Sequence, residues 1–418
     1  MTTSLAALPR FEMLNILLIS PWLPWPPHDG ARIRILETLR YLGSRHRVTL
    51  VAHIHAEDER AHVAQLREYC EDVQVSLLSG GTARRIGRMA RATLAGAPLI
   101  QGIHFDSGLA KRIATTTEQR KFDVVQIELS LIARYAAAVR RRNGTKLVLS
   151  THNIESQRFA RELQVARWSL RRAVLQADQL ISGRWEEKAV RRFDGAVAVS
   201  AADRQWLERH LDGRPVALVP NGVDTDHFQR RTPRTANPAT IVFTGVMDYP
   251  PNEDAVLWFA DKVWPLLHQR WPDLVFQIVG TRPTPRVVAL AGRAGIEVTG
   301  EVPDVRPYVE QALAFVVPLR SGGGTRLKIL QAMAIGCPVI STQLGAEGLT
   351  VNDGGDILFA EQPADFVARI QDLKSSPELA SRLSGSARAL VLRQYDWQSC
   401  LSALEPLYRE LTGAGARL

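Results

Sequence analysis

Short apolar runs without helical period recur along this chain, and between them lie segments whose apolar positions repeat every three to four residues. Runs at 14–20, 48–52, 73–77, 122–127, 146–150, 196–200 and 216–219 predict strands in the first half; runs at 241–245, 274–280, 296–299, 315–317 and 338–340 predict a second set. Apolar character that is continuous rather than alternating marks strands buried on both faces, as in parallel sheets. Helices are predicted over 31–44, 56–68, 83–94 and 253–270, with Asp203 opening another. The Arg-rich span 161–192, with Trp168 and Trp185 as buried anchors, reads as one long or broken helix. Strands alternating with helices in this way define a doubly wound α/β chain.

The two sets of strands lie on either side of 229–239, a polar, proline-bearing and unpatterned stretch read as a linker. A chain of 418 residues exceeds what one hydrophobic core usually serves, so two domains are expected. The turn Pro220-Asn221-Gly222-Val223-Asp224 announces the end of the first, with Asn-Gly supplying the positive φ that a tight turn needs.

The most informative stretch is 315–349, FVVPLRSGGGTRLKILQAMAIGCPVISTQLGAEGL. A buried strand stops at Pro318, and Gly322, Gly323 and Gly324 then remove every Cβ from the turn, so backbone N–H groups can approach a ligand closely. Thr325 is placed to cap a helix along which Leu327, Leu330 and Ala334 repeat, and Gly336 stops it before the next strand. A glycine loop feeding a helix N-terminus attracts anions, and Arg326 and Lys328 add two cations within the first turn. Phosphate or diphosphate is therefore the expected ligand. The spacing is neither that of a Walker loop nor that of a GxGxxG dinucleotide turn.

At this point the residues carry a resemblance. The run 318–348 resembles the donor-site motif of retaining glycosyltransferases of family 4, which have the two-domain GT-B fold. It is most similar to the bacterial branch that carries GGGTRLK and includes sugar transferases of exopolysaccharide and surface-polysaccharide clusters. The resemblance implies transfer of a sugar from a nucleotide diphosphate donor to a hydroxyl of a glycan or lipid-linked acceptor. It assigns 1–230 to an acceptor-side domain, completed by a last helix in 396–418 that serves as a hinge element, and 231–395 to the donor domain.

The same resemblance distributes roles. Gly322, Gly323, Gly324, Thr325, Arg326 and Lys328 would hold the diphosphate, Val302 would flank the base, and Glu347 would meet a sugar hydroxyl. Gly30, in the proline-rich loop 21–30, would approach the diphosphate from across the cleft; the tryptophans of that loop are read as packing. His152 and Asn153 end the strand at 146–150, where a doubly wound sheet presents ligands, so His152 is the catalytic candidate and Asn153 the acceptor-side one. Glu155 is expected to pair with Arg158, one turn away.

Two departures bear on activity. Many family members carry two Glu residues eight apart; here those positions are Gly323 and Gln331. Gln331 keeps a carbonyl acceptor for the donor ribose without the charge, so weaker binding is expected. The family also places an Arg and a Lys just after the strand at 241–245, and the loop 246–252 has neither. The positive charge at the leaving group must then come from Arg326 and Lys328. No DxD-type metal pair lies near the motif, so no metal or other cofactor is expected.

Composition adds less. A net charge of +9 and a pI near 9.8 suggest acidic partners, whether phosphorylated donors or anionic lipid. Nucleic acid ranks last, because no recognised nucleic-acid motif accompanies the charge. The segment 83–94 places Arg84, Arg88 and Arg91 on one helical face and leans Ile86, Met89, Ala90 and Leu94 to the other. A solvated face is the plain reading, and peripheral contact with an anionic membrane is the functional one. Cys70, Cys337 and Cys400, few and scattered, fit a reducing compartment. With no signal sequence and no membrane span, the expected place is the cytoplasm, at most peripheral at the inner face of the membrane. Two rival classes stay open: a non-catalytic nucleotide-sugar or glycan binding protein, and a sugar-nucleotide epimerase, which would need acid and base carboxylates in the cleft.

Overall fold

A computed structural model of the chain describes residues 13–78, 80–142, 144–165, 170–232, 239–322 and 327–413. Among the described residues, thirteen strands form two all-parallel sheets. The first has the order β3-β2-β1-β4-β5-β6-β7, from β1 (Asn15–Ser20), β2 (Arg47–Ile54), β3 (Asp72–Leu77), β4 (Val124–Glu128), β5 (Lys146–Ser150), β6 (Gly195–Ala198) and β7 (Val216–Leu218). The second has the order β10-β9-β8-β11-β12-β13, from β8 (Thr240–Thr244), β9 (Val275–Val279), β10 (Ile296–Gly300), β11 (Ala314–Val317), β12 (Val339–Ser341) and β13 (Leu358–Phe359). Every run read as a strand is one, to within two residues at most ends.

Period-2 geometry divides the core of the first sheet into two halves. Along β1, Ile16 and Leu18 join one buried cluster, and Leu17 and Ile19 join the cluster on the other face. The first of these is completed from the far end of the chain. Trp397, Leu401, Leu404, Leu407 and Tyr408, in helices Trp397–Leu401 and Leu404–Thr412, pack onto Ile16, Leu18 and Val124. At about 1.5–3 kcal/mol for each large apolar side chain buried, this contact contributes on the order of 10 kcal/mol. A buried His46–Glu405 pair at 3.2 Å adds a polar tie.

The chain therefore crosses between the sheets twice, and the crossings are joined. Val223 N–H donates to the Tyr395 carbonyl at 2.8 Å, and the Thr225 hydroxyl donates to Asp396 at 2.9 Å. At 220–224 the expected positive φ is absent: neither Asn221 nor Gly222 has one. Gly222 is needed for a different reason, since a Cβ there would lie 2.8 Å from the Trp397 ring. Gly222→Ala should accordingly force the crossings apart and cost about 1–3 kcal/mol, the usual range for overpacking. A lowered denaturant midpoint would show it, and an unchanged midpoint would mean that the ring moves aside.

Several helices differ from expectation. The segment 56–68 forms a 3₁₀ stretch, Glu57–His62, followed by only four α-helical residues, because no residue of the 3₁₀ turn is buried to stabilise a longer helix. Of the span 161–192, the described residues lie in helices Glu155–Val165 and Leu170–Val190 and the turn after them, with Trp185 half-buried and Trp168 outside the described residues. Ser200, not Asp203, caps helix Ala201–His210 by accepting from Asp203 N–H. Within 250–270 a π-helical turn, Phe259–Val263, precedes Pro265, which has no N–H to continue the α ladder. Of the linker, 233–238 lies outside the described residues, and Arg230, Arg231 and Thr232 are pinned to Glu310. Helix Thr82–Leu94 buries only Ala92, and its Ile86 and Leu94 are 59% and 88% exposed.

Candidate active site

In doubly wound sheets, ligands meet the carboxyl ends of strands where the strand order reverses. That point lies between β1 and β4 in the first sheet and between β8 and β11 in the second. Gly30 follows β1, Glu128 ends β4, Gly245 follows β8, and the loop of Gly322 follows β11. The two halves touch here: a Cβ added to Gly30 would lie 3.2 Å from Leu327 Cδ1. Gly30 opens helix Gly30–Gly43, capped by Asp29, and Leu327 begins the described part of helix Leu327–Ile335. The first turn of a helix from one sheet thus meets the described start of a helix from the other, and the dipole of helix Gly30–Gly43 favours an anion at its N-terminus.

Of the predicted loop, Gly322 is buried with φ 104°, while Gly323, Gly324, Thr325 and Arg326 lie outside the described residues. Lys328 and Gln331 share the less buried face of their helix, as their spacing requires, while Ile329, Leu330 and Ala332 to Ile335 are buried. Lys328 Nζ donates to Asn252 Oδ1 at 2.9 Å and sits 4.0 Å from the centroid of the Phe243 ring. Phe243 is on β8 and Asn252 in helix Pro250–Trp258, so the ammonium reaches the strand end where the resemblance leads one to look for Arg and Lys.

His152 is joined to a residue that the sequence reading passed over. Its Nε2 lies 2.9 Å from Glu128 Oε2, both side chains being buried. Glu128 Oε1 accepts from Gln126 Nε2 at 2.7 Å, and Gln126 Oε1 accepts from the Tyr408 hydroxyl at 2.6 Å. Burial pushes the Glu128 carboxyl up, but hydrogen bonds from His152 and Gln126 and the charge of Arg34 outweigh it and hold the carboxyl below its ordinary range. Burial pulls His152 down further than Glu128 holds it up. One state satisfies both: a carboxylate accepting from a neutral imidazole whose Nε2 carries the proton, leaving Nδ1 as the acceptor nitrogen. Tyr408 also corrects the reading of the last helix as a hinge element only.

Gln126 and Glu128 could have been found. They are two residues apart in a strand otherwise apolar, hence on one face, and polar groups there need partners.

Arg34 stiffens the same region. It is 2% exposed and donates to the Val219 and Pro220 carbonyls and to Asn221 Oδ1 at 2.9, 3.2 and 2.9 Å. Burial lowers it to about 10, so it stays charged at neutral pH. The helix that begins at Gly30 is thereby tied to the first chain crossing.

The remaining candidates are brought together in part. Asn153 and Glu347, from different sheets, line one cavity of about 470 Å³ with Arg158, Ser200, Asp203 and Tyr395. Arg158 pairs with Glu155 at 2.7 Å, as its spacing predicts. Val302 packs half-buried against the core of the second sheet, just beyond β10. Trp22 and Trp25 pack against the first core, as loop residues should. Cys70, Cys337 and Cys400 are buried and form no disulfide with one another.

Comparison with known proteins agrees with this architecture. The model described as Glycosyltransferase Family 4 matches residues 28–227, and that described as Glycosyl transferases group 1 matches 238–376. Fold, cleft and matches define the class: the chain has the GT-B fold, its first part similar to glycosyltransferases of family 4 and its second to those of group 1. Among particular relatives, it is 29% identical to a phosphatidyl-myo-inositol mannosyltransferase of Mycobacterium tuberculosis over 54% of this chain and 61% of that one, short of two thirds of the relative's length. It is 21% identical to an uncharacterised 44.6 kDa protein in the cps region of Klebsiella pneumoniae, over 94% of this chain and 99% of the other. Among solved structures, sucrose-phosphate synthase of Thermosynechococcus elongatus superposes with a TM-score of 0.69 at 15% identity, covering 96% and 100% of the two chains. An Anabaena protein solved with UDP and glucose gives 0.64 at 15% identity, over 95% and 100%.

Proposed function

We propose that the protein is a retaining glycosyltransferase that moves a hexosyl group from a nucleotide diphosphate donor to a hydroxyl of a glycan or lipid-linked acceptor in surface-polysaccharide synthesis. The observation that carries this reading is the Lys328 ammonium, held at the switch point of the second sheet near the contact between the two sheets. Diphosphate charge building as the glycosidic bond breaks would be neutralised there by Lys328, Arg326 and the amides of the glycine loop, without a metal. His152, with Asn153 and Glu347 along the cavity beyond it, would position sugar and acceptor hydroxyls. Val302 would flank the base, and Gln331 would accept from the ribose. The division into 1–230 with 396–418, and 231–395, is proposed to follow acceptor and donor binding.

The near full-length similarity to a protein of a cps region supports the polysaccharide branch. Exposed Ile86 and Leu94 beside exposed Arg84, Arg85 and Arg91 support peripheral attachment to anionic membrane from the cytoplasmic side. Among the described residues, no helix is long and apolar enough to cross a membrane. Gln331 in place of Glu favours a second reading, a protein that binds donor without turnover.

A panel of UDP-, GDP- and ADP-sugars, with and without EDTA, tests both. One donor should raise the melting midpoint and release its nucleotide diphosphate when glycan or lipid-linked acceptor is added, with or without chelator. Binding without release under any condition would select the second reading, and no response to any donor would overturn both.

A further inference from the structure

We infer that Glu186 is a positioning residue for the Glu128–His152 pair, a buried carboxylate that fastens the loop after β4 to the loop after β5. The inference rests on the transferase reading above, in which His152 acts at the sugar, and adds to it a residue that neither the motif nor the resemblance marks.

Helix Leu170–Val190 buries Asp178, Ser182 and Glu186, which are spaced by four and so share one face. Buried polar groups need partners, and Glu186, 2% exposed, finds its own in both loops. Its Oε1 accepts from the Ser130 hydroxyl at 2.8 Å and from Glu155 N–H at 3.0 Å, and its Oε2 accepts from Ser156 N–H at 3.0 Å. The two amides belong to the first turn of helix Glu155–Val165, where N–H groups have no partner within the helix. Ile154 precedes that turn and has no side-chain acceptor to cap it. The cap comes instead from Glu186, 31 residues further on.

The pair stands just ahead of these anchors: Glu128 precedes Ser130 by two residues, and His152 precedes Glu155 by three. Between Glu128 and Ser130, Leu129 has φ 69° and ψ 137°, a backbone state that residues other than glycine rarely adopt. Such a state persists where its surroundings over-determine it. Leu129 N–H donates to the Ser150 carbonyl at 2.8 Å, the Ser130 carbonyl accepts from Gln101 Nε2 at 2.9 Å, and the Ser130 hydroxyl is held by Glu186. A corner fixed on both sides aims Glu128 at His152. Without Glu186 the strained corner and the uncapped helix are each free to relax, and the 2.9 Å contact of the pair relaxes with them.

Turnover of UDP-, GDP- and ADP-sugars with glycan or lipid-linked acceptor tests this on the full chain. The variants are Glu186→Gln, Ser130→Ala and Asp194→Ala, the first two also in a Glu128→Gln background. Glu186→Gln turns one acceptor oxygen into a donor facing an N–H, and Ser130→Ala cuts the tie between the loops while leaving the helix cap in place. Both should lower kcat about tenfold or more through misplacement of His152, with donor KM held within about twofold because the diphosphate would be bound by the second sheet. In Glu128→Gln, where the pair is already broken, neither should lower kcat further by more than about twofold. Asp194 accepts from Leu147 N–H at 2.7 Å at the other end of β5, so Asp194→Ala should lower the melting midpoint and keep kcat. A kcat unchanged in Ser130→Ala and Glu186→Gln, lowered equally in Asp194→Ala, or lowered in full again in Glu128→Gln would overturn this inference alone. Wild type that turns over no donor would overturn the transferase reading and this inference with it. Should Glu186→Gln fail to fold, Ser130→Ala decides.

Discussion

Lys328→Ala should lower donor kcat/KM about 10²–10³-fold, the range seen when one preorganised donor to a developing negative charge is removed. The loss should appear in kcat as well as in KM, because the diphosphate carries more charge on leaving than while esterified. Lys328→Met separates charge from packing. It keeps an unbranched stem beside Phe243 and should fold as wild type, yet show nearly the same kinetic loss. Activity within threefold of wild type in Lys328→Met would mean that the leaving group is stabilised elsewhere.

A second large effect is expected from Glu128→Gln. The carboxylate fixes the Nε2–H tautomer of His152, and a carboxamide can present either an acceptor or a donor to that nitrogen. We expect kcat to fall about 100-fold, the scale of an ångström's misplacement of a reacting group. The pH profile should move as well. Wild-type activity should decline as pH falls through the His152 pKa, which burial sets below the ordinary 6.5. Glu128 raises that pKa, so its removal lowers it further and shifts the acid limb to lower pH. An unmoved limb with unchanged kcat would show that the pair is structural only.

The same pair makes stability sensitive to acid. His152 is neutral in the fold and protonates more readily when unfolded, so stability drains as pH falls below 6.5 toward its folded pKa. Glu128, lowered in the fold, contributes fully above the ordinary 4.5, and its contribution is lost as pH falls through its folded pKa. Both losses therefore have the same sign.

Strands were legible in the sequence because burial on both faces leaves short, continuous apolar runs without helical period. The helix at 56–68 was not, since charge at its start cannot substitute for an apolar face, and no residue of its 3₁₀ turn is buried. Lys328 and Gln331 were placed correctly relative to each other by helical spacing alone. The partners of Lys328 and His152 were not, because Asn252 and Glu128 meet them through tertiary contacts across 76 and 24 residues. The Asn-Gly turn misled for a related reason: glycine at 222 answers a ring that arrives from 397, and local propensity contains no trace of it.

Tyr408 gives the chain an order of events. Gln126, which it completes, was made 282 residues earlier, so at about 5–20 residues per second the strand end waits on the order of tens of seconds for its last hydrogen bond. Through that interval the whole second sheet is synthesised, while one apolar face of the first sheet lacks Trp397, Leu401 and Leu404 and stays open to solvent or to a chaperone. On the ribosome the network from Tyr408 through Gln126 and Glu128 to His152 is complete only after every described strand of the second sheet has been made.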